Sequence, residues 1–573
     1  MNSSPLSLRT MLNALEQRLD QLSFPELRQR LITHALNLPV EERGGFLNIF
    51  QLSITSTRSD LPLAQSPSVF HDLTWPVETD PLLTEIEDFA QRVESGDFYQ
   101  GFGWDEEIYD ERSFGDESWV YEMDGYFTSA HQAFAAGSLG LARAAYDKLF
   151  DALTLDDEVG TFCGQEPAVV MLDANLSEAM SQYLRAVYET SALSERASEL
   201  ITQWRRLPLH GEEPNLQQIR DCAPEDVPDL DSFLPSWIAE LSAADRGTKL
   251  IRTLLVEAAK LSTGLDGLRD LARQTGPGQG SLYLDWVREL RAASESSRAV
   301  EAAREALEVP GIGSFNRAAI AEELAELSIS DLQAVLEARR IAWRSRGDEN
   351  RLLLLHHAAA QLGDPTNIMS EELEFAESEQ RTETLNGSLF SALLILSGEP
   401  ERAAKLLSLP PDQRDHKVSG SLLIPYLLVS ASKALTGSPQ ACKWAADYLQ
   451  KIDLSTSIFG LHGTSKKTEF PTLSELFAHK IRTENPIPSA LEFRLDAALG
   501  QLDRDVAAIV ADKRRSEYQK AAEWLADGTR AMSLARGDDA GASWFQSWFA
   551  RYPRHTAFRR ELENARPTPL PAG

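Results

Sequence analysis

Apolar residues recur at intervals of three and four through almost every long segment of this chain, a period that admits the α-helix and little else. In LSLRTMLNALEQRLDQL, Leu8, Met11, Leu12, Leu15, Leu19 and Leu22 share one face and leave Glu16, Arg18 and Asp20 for water. Ser23 follows, with Pro25 near a first helical turn and Glu26 three residues on, the pattern of a capping box. No segment sustains an alternation of β-branched residues, so we expect an all-α fold with hardly any sheet. A length of 573 residues exceeds what one core organises, and 43% hydrophobic with 25% charged residues is an ordinary globular balance.

The most informative unit is MDGYFTSAHQAFAAGSLGLARAAYDKLFDAL, residues 123–153, in which two helical patterns meet at Gly137. Ala130 and Ala133 lie on the first helix, and Ala142, Tyr146, Leu149 and Phe150 on the second. Small residues let two helices approach closely while bulky ones fill the groove beside them. Related half-patterns place Ala299, Ala303, Ala306 and Leu307 before Pro310, Gly398, Ala403 and Leu407 before Pro410, and Gly537, Ala542 and Phe545 before Pro553. The spacing resembles a tetratricopeptide repeat, without a fixed period linking its occurrences. We therefore expect helical hairpins stacked as a degenerate TPR-like solenoid. Its expected divisions are an N-terminal helical hairpin (1–54), a linker with an acidic and aromatic segment (55–122), repeats over 123–407, a separate C-terminal helical domain (421–565) and a disordered tail (566–573).

The acidic and aromatic segment is GFGWDEEIYDERSFGDESWVYEMDGYF, residues 101–127. Nine carboxylates lie between Asp105 and Asp124 among Trp104, Tyr109, Phe114, Trp119 and Tyr121, with Arg112 the one base. A calcium loop needs glycine at its sixth position and oxygen ligands at fixed intervals, and counting from Asp105 puts Asp110 at the sixth, so the register fails. Acid and base catalysis needs two carboxyl groups in contrasting environments, which a run of solvated neighbours does not offer. Five large rings in such a segment either dock onto adjacent helices or face a partner. The expected partner-binding set is Trp104, Asp105, Glu106, Glu107, Tyr109, Trp119 and Tyr121. Basic stretches at 512–520 and 551–560 add Arg514 and Arg515, expected to pair with the acidic segment within one chain or between chains.

The formal charge of −31 argues against sequence-independent binding of nucleic acid or an anionic membrane, and a basic protein partner suits it better. Cys163, Cys222 and Cys442 are far apart and odd in number, which predicts no disulfide framework and a reducing, cytoplasmic setting. The N-terminal residues lack the pattern of a signal peptide, and the apolar run 422–435 is too short to span a bilayer. There is no CxxC or HExxH, and His356 and His357 point to different helix faces, so no metal is expected. GPGQG (276–280) follows a helical pattern and GLHGTSKKT (460–468) lacks the P-loop register; no GxSxG occurs. We expect no cofactor, no catalytic residue and no enzyme.

Three stretches, ESWVYEMDGYFTSAHQAFAAGSLGLARAAYDKLFDAL, VLEARRIAWRSRGDENRLLLLHHAA (335–359) and ARYPRHTAFRREL (550–562), resemble helical repeat regions of uncharacterised bacterial proteins, including those attached to SWIM-type zinc fingers. The CxC and CxH of the SWIM element are missing, so the resemblance implies a TPR-like scaffold without the zinc module. The leading expectation is a non-enzymatic scaffold or adaptor that binds a protein partner. The alternative is a regulatory protein of a bacterial defence or stress operon, such as a CRISPR-linked system, controlled by a protease that cuts an exposed linker at 408–420 or 460–472.

Overall fold

A computed structural model of the protein describes residues 80–107, 109–155, 162–164, 166–207, 214–244, 248–378, 386–410, 413, 418–452 and 470–568. The expected hairpin at 1–54, most of the span 460–472 and residues 569–573 lie outside them. The described residues are mostly helical, and the one sheet among them has two strands. None of their helices is long and apolar enough to cross a membrane.

The chain divides into two compact units, the first running to Leu271 and the second resuming at Gln279. This differs from the expected border at 408–420, for a physical reason visible in the second core. Leu336, Leu393, Leu407, Leu427, Leu502 and Met532 belong to one buried cluster, so helices on both sides of 408–420 share it.

The first unit opens with the helix Pro81–Glu94. Asp80 caps it by accepting from the Leu82 backbone at 2.9 Å, and Pro81 occupies the first turn, where its missing N–H costs nothing. Its buried face is Leu83, Ile86, Phe89 and Val93, at the spacing of one helical stripe. A β-hairpin follows, with strands β1 (Tyr99–Asp105) and β2 (Asp110–Gly115). Then come Trp119–Ala135 and Leu139–Leu153, joined at Gly137, whose φ of +78° suits glycine. Ala130, Ala142, Tyr146, Leu149 and Phe150 are buried between them and the helix Leu176–Thr190, while Ala133 is half-buried. Arg196–Arg206, Leu230–Ala243 and Lys249–Thr263 each pack on the preceding long helix.

In the second unit, Gln279–Ala292, Ser296–Glu308, Ser314–Leu327, Leu332–Ser345, Glu349–Gln361 and Pro365–Glu377 pack in succession, each on the next. Ala299, Ala303, Ala306 and Leu307 are buried as their pattern predicts. Beyond Pro365–Glu377 lie Gly387–Leu396 and Pro400–Ser408. The apolar run 422–435 forms most of Gly420–Ser432, a helix buried on every side from Leu422 to Ser432. Uniform hydrophobicity is what such a central position requires. Pro488–Ala511 and Tyr518–Arg536 enclose it. A satellite core holds Phe545, Trp548, Phe558 and Leu562 from the last two helices. The small contact near the end is Gly541 and not the expected Ala542, which is exposed.

Candidate functional site

The acidic segment forms a β-hairpin, while the linker expected ahead of it, at 55–79, lies outside the described residues. In β1, Gly101 faces Phe114 and Gly103 faces Arg112 across the ladder, so the side chains of β2 fill that face. The Arg112 guanidinium lies 4.8 Å from the Phe114 ring centre and pairs with Asp105 at 2.8 Å and Glu117 at 2.9 Å. Tyr109, at φ +57°, takes the left-handed conformation in the turn. At the base, the Asp116 N–H donates to Phe98 O at 2.9 Å. Gly115 makes that approach possible, because a Cβ there would stand 1.9 Å from the Phe98 oxygen.

Trp119 anchors the hairpin to the helices. It is 0% exposed, its indole N–H donates to Cys163 O at 2.8 Å, and its ring meets Phe162 at 4.5 Å. The Gly164 N–H then donates to Ser113 O at 3.2 Å, so residues 162–164 hold the outer edge of β2. Burial, with Glu117 nearby, pushes the Cys163 thiol up from its ordinary pKa, which suits a packing role. Trp119 therefore leaves the partner-binding set: a ring enclosed in this way cannot meet a partner.

The opposite face is open. Phe102 and Trp104, two residues apart on β1, project together and are 63% and 58% exposed. Ser113 and Glu111 are their cross-strand neighbours. Tyr109 at 80% and Tyr121 at 81% are exposed as well, Tyr121 on the helix Trp119–Ala135. Phe102 and Glu111 are absent from the expected set. The period-two spacing of Phe102 and Trp104 around glycine was the signal that could have found them.

The carboxylates sort into two groups. Asp105 and Glu117 hold Arg112; Glu122 pairs with Arg92 and accepts from the Tyr126 hydroxyl at 3.0 Å; Asp124 accepts from the Asp173 and Ala174 backbones at 3.2 and 3.0 Å. Asp116 accepts from the Ser118 N–H at 2.9 Å, and that bond holds its carboxyl below the usual range. Glu106, Glu107 and Glu111 are exposed and have no ion-pair partner among the described residues. No group of three or more His, Cys, Asp or Glu among the described residues stands placed to hold a metal ion.

Arg514 and Arg515 lie in the second unit, both exposed. Arg514 pairs locally with Asp512 at 3.7 Å and Glu517 at 3.1 Å. A scan against known protein-family profiles finds no match, and a search of curated proteins finds none.

Proposed function

We propose that this protein is a non-enzymatic helical scaffold or adaptor, TPR-like in its helix pairs, that recognises a protein partner through the outward face of the hairpin. The observation that carries the reading is the side-by-side exposure of Phe102 and Trp104 on a strand rimmed by Glu106, Glu107 and Glu111. Keeping two large rings in water forgoes roughly 1.5–3 kcal/mol of burial for each, which their docking on a partner would recover. The three carboxylates suit a lysine- or arginine-bearing segment, steering encounter before the rings make contact. The edge of β1 away from β2 carries no strand among the described residues, so an extended segment can add there with its basic side chains over the rings. Charge pairing of an acidic segment with Arg514 and Arg515 belongs to the same proposal. Charge reversal of both arginines should then weaken a salt-dependent association.

The test places a photo-crosslinking residue at Gln100, beside Phe102 and Trp104, and captures partners from the native host. The double variant Phe102→Ala, Trp104→Ala should lose at least ten-fold in crosslinked partner while keeping the helical circular-dichroism signal. Equal recovery from wild type and variant would end the reading.

A further inference from the structure

The second unit contains a cavity of about 860 Å³ to which the helices Glu349–Gln361, Pro365–Glu377, Gly387–Leu396 and Leu473–Thr483 contribute. That volume lies within the range of small-molecule pockets. Its walls divide by chemistry. Phe470, Pro471, Leu476 and Leu396 supply an apolar side, while His356, His479 and Lys480 converge from two helices.

The ionisable groups around this cavity are mainly basic, unlike those of the chain as a whole. The ionisable groups that act on His356 are Lys480, His357 and His479, all basic, and no carboxylate is among them. Glu475 also lines the cavity as its one carboxylate; a capping box holds it toward Thr472, accepting from the Thr472 N–H at 2.7 Å and the Thr472 hydroxyl at 3.0 Å, and it keeps its negative charge. Lys480 has no carboxylate partner among the described residues. Its Nζ lies 3.4 Å from the place a Cβ on Gly398 would occupy, just past the Gly387–Leu396 helix, whose C-terminal end offers partial negative charge only. His357 turns aside: its ring meets Phe470 at 4.4 Å and its Nε2 contacts the Gln361 amide at 3.0 Å, which fixes Phe470 against the cavity. In a protein of net charge −31, a pocket that sets three basic side chains against the single carboxylate of Glu475 runs against the general field.

We propose that this cavity binds a small organic oxyanion, its carboxylate or phosphate head held by Lys480, His479 and His356 and its aromatic or acyl body laid against Phe470 and Leu476. The head supplies the countercharge that Lys480 lacks, and the apolar wall discriminates such a ligand from a bare inorganic ion. Burial and the neighbouring cations depress the His356 pKa to about 4, so the empty pocket holds this ring neutral. A bound anion opposes that depression and favours protonation of His356, so binding tightens as pH falls toward 4.

Calorimetric titration of the full chain with phenyl phosphate, benzoate, inorganic phosphate and benzylamine tests this. Phenyl phosphate or benzoate should bind at least ten-fold more tightly than inorganic phosphate, and benzylamine should give no heat. Whichever aryl anion binds better names the head group. Lys480→Ala should weaken that anion at least ten-fold, and Phe470→Ala should bring it to the level of inorganic phosphate. His479→Gln, at an exposed position, provides a second reading should Lys480→Ala fail to fold. Absence of heat with both aryl anions would overturn the proposal, as would equal affinity for benzylamine or undiminished binding by Lys480→Ala and His479→Gln.

Discussion

Glu372 has no exposed surface, and its carboxylate accepts from Arg344 through two bonds of 2.8 Å while lying 2.9 Å from Arg340. A buried carboxylate is tolerable only with such countercharge, and removing it takes from Arg344 its bidentate partner while Arg340 keeps Glu371 at 2.6 Å. Glu372→Ala should lose about 1–3 kcal/mol in urea unfolding, with Glu372→Gln losing less. His356 gives a prediction in pH. Its folded pKa lies near 4, below the ordinary 6.5, so the native state binds this proton less readily than the unfolded chain. Stability tied to the neutral ring is complete above about pH 6.5 and is lost as pH falls from there toward 4. Nuclear magnetic resonance of the histidine rings should show His356 neutral well below pH 6.5. At this scale the sequence was only partly legible. Trp104 and Trp119 sit in the same acidic segment, yet one is open to solvent and the other enclosed, because Phe162 and Cys163, the latter 44 residues on from Trp119, pack against its ring.

The hairpin was the element least legible from the residues. Its strands lack β-branched residues, and Gly101, Gly103 and Gly115 read as loop until the pairing partners of β2 are known. Gly115 is the position at which to break it. Gly115→Ala would drive a methyl to 1.9 Å from the Phe98 oxygen, so hydrogen exchange across β1 and β2 should rise sharply while helicity is kept. Partner crosslinking at the hairpin should fall with it. Helix pairs were legible in kind and shifted in detail. The pattern before Pro553 pointed to Ala542, but the close approach falls on Gly541, where a Cβ would lie 2.1 Å from the Ser533 hydroxyl and 3.0 Å from Thr529 O. Gly541→Leu should lower stability by about 1–3 kcal/mol through overpacking, whereas Ala542→Leu, at an exposed site, should change little.

In both units a tyrosine hydroxyl donates to a carboxylate, Tyr126 to Glu122 one turn earlier on its own helix and Tyr283 to Glu305 on the next helix. Tyr126 in the first and Tyr283 in the second are each pushed up to about 12, chiefly by burial and then by hydrogen bonds to Glu122 and Glu305. Their folded pKa lies above the unfolded value near 10, so their contribution is intact below pH 10 and disappears as pH rises toward 12. Tyrosinate absorbance should lag behind that of the denatured chain and then rise together with loss of helical signal. Helical period, small residues at Ala130, Ala142, Ala299 and Ala303, and the all-apolar run at 422–435 were enough to establish a helical body and much of its core, because those signals are local and repeat every turn. The division near 272–279, the fate of each ring in the hairpin and the meeting of His356 with His479 and Lys480 arose from contacts between residues far apart in the chain. Residue pattern tells a side chain which element it belongs to. Packing alone assigns the neighbour that buries it, discharges it or leaves it facing water.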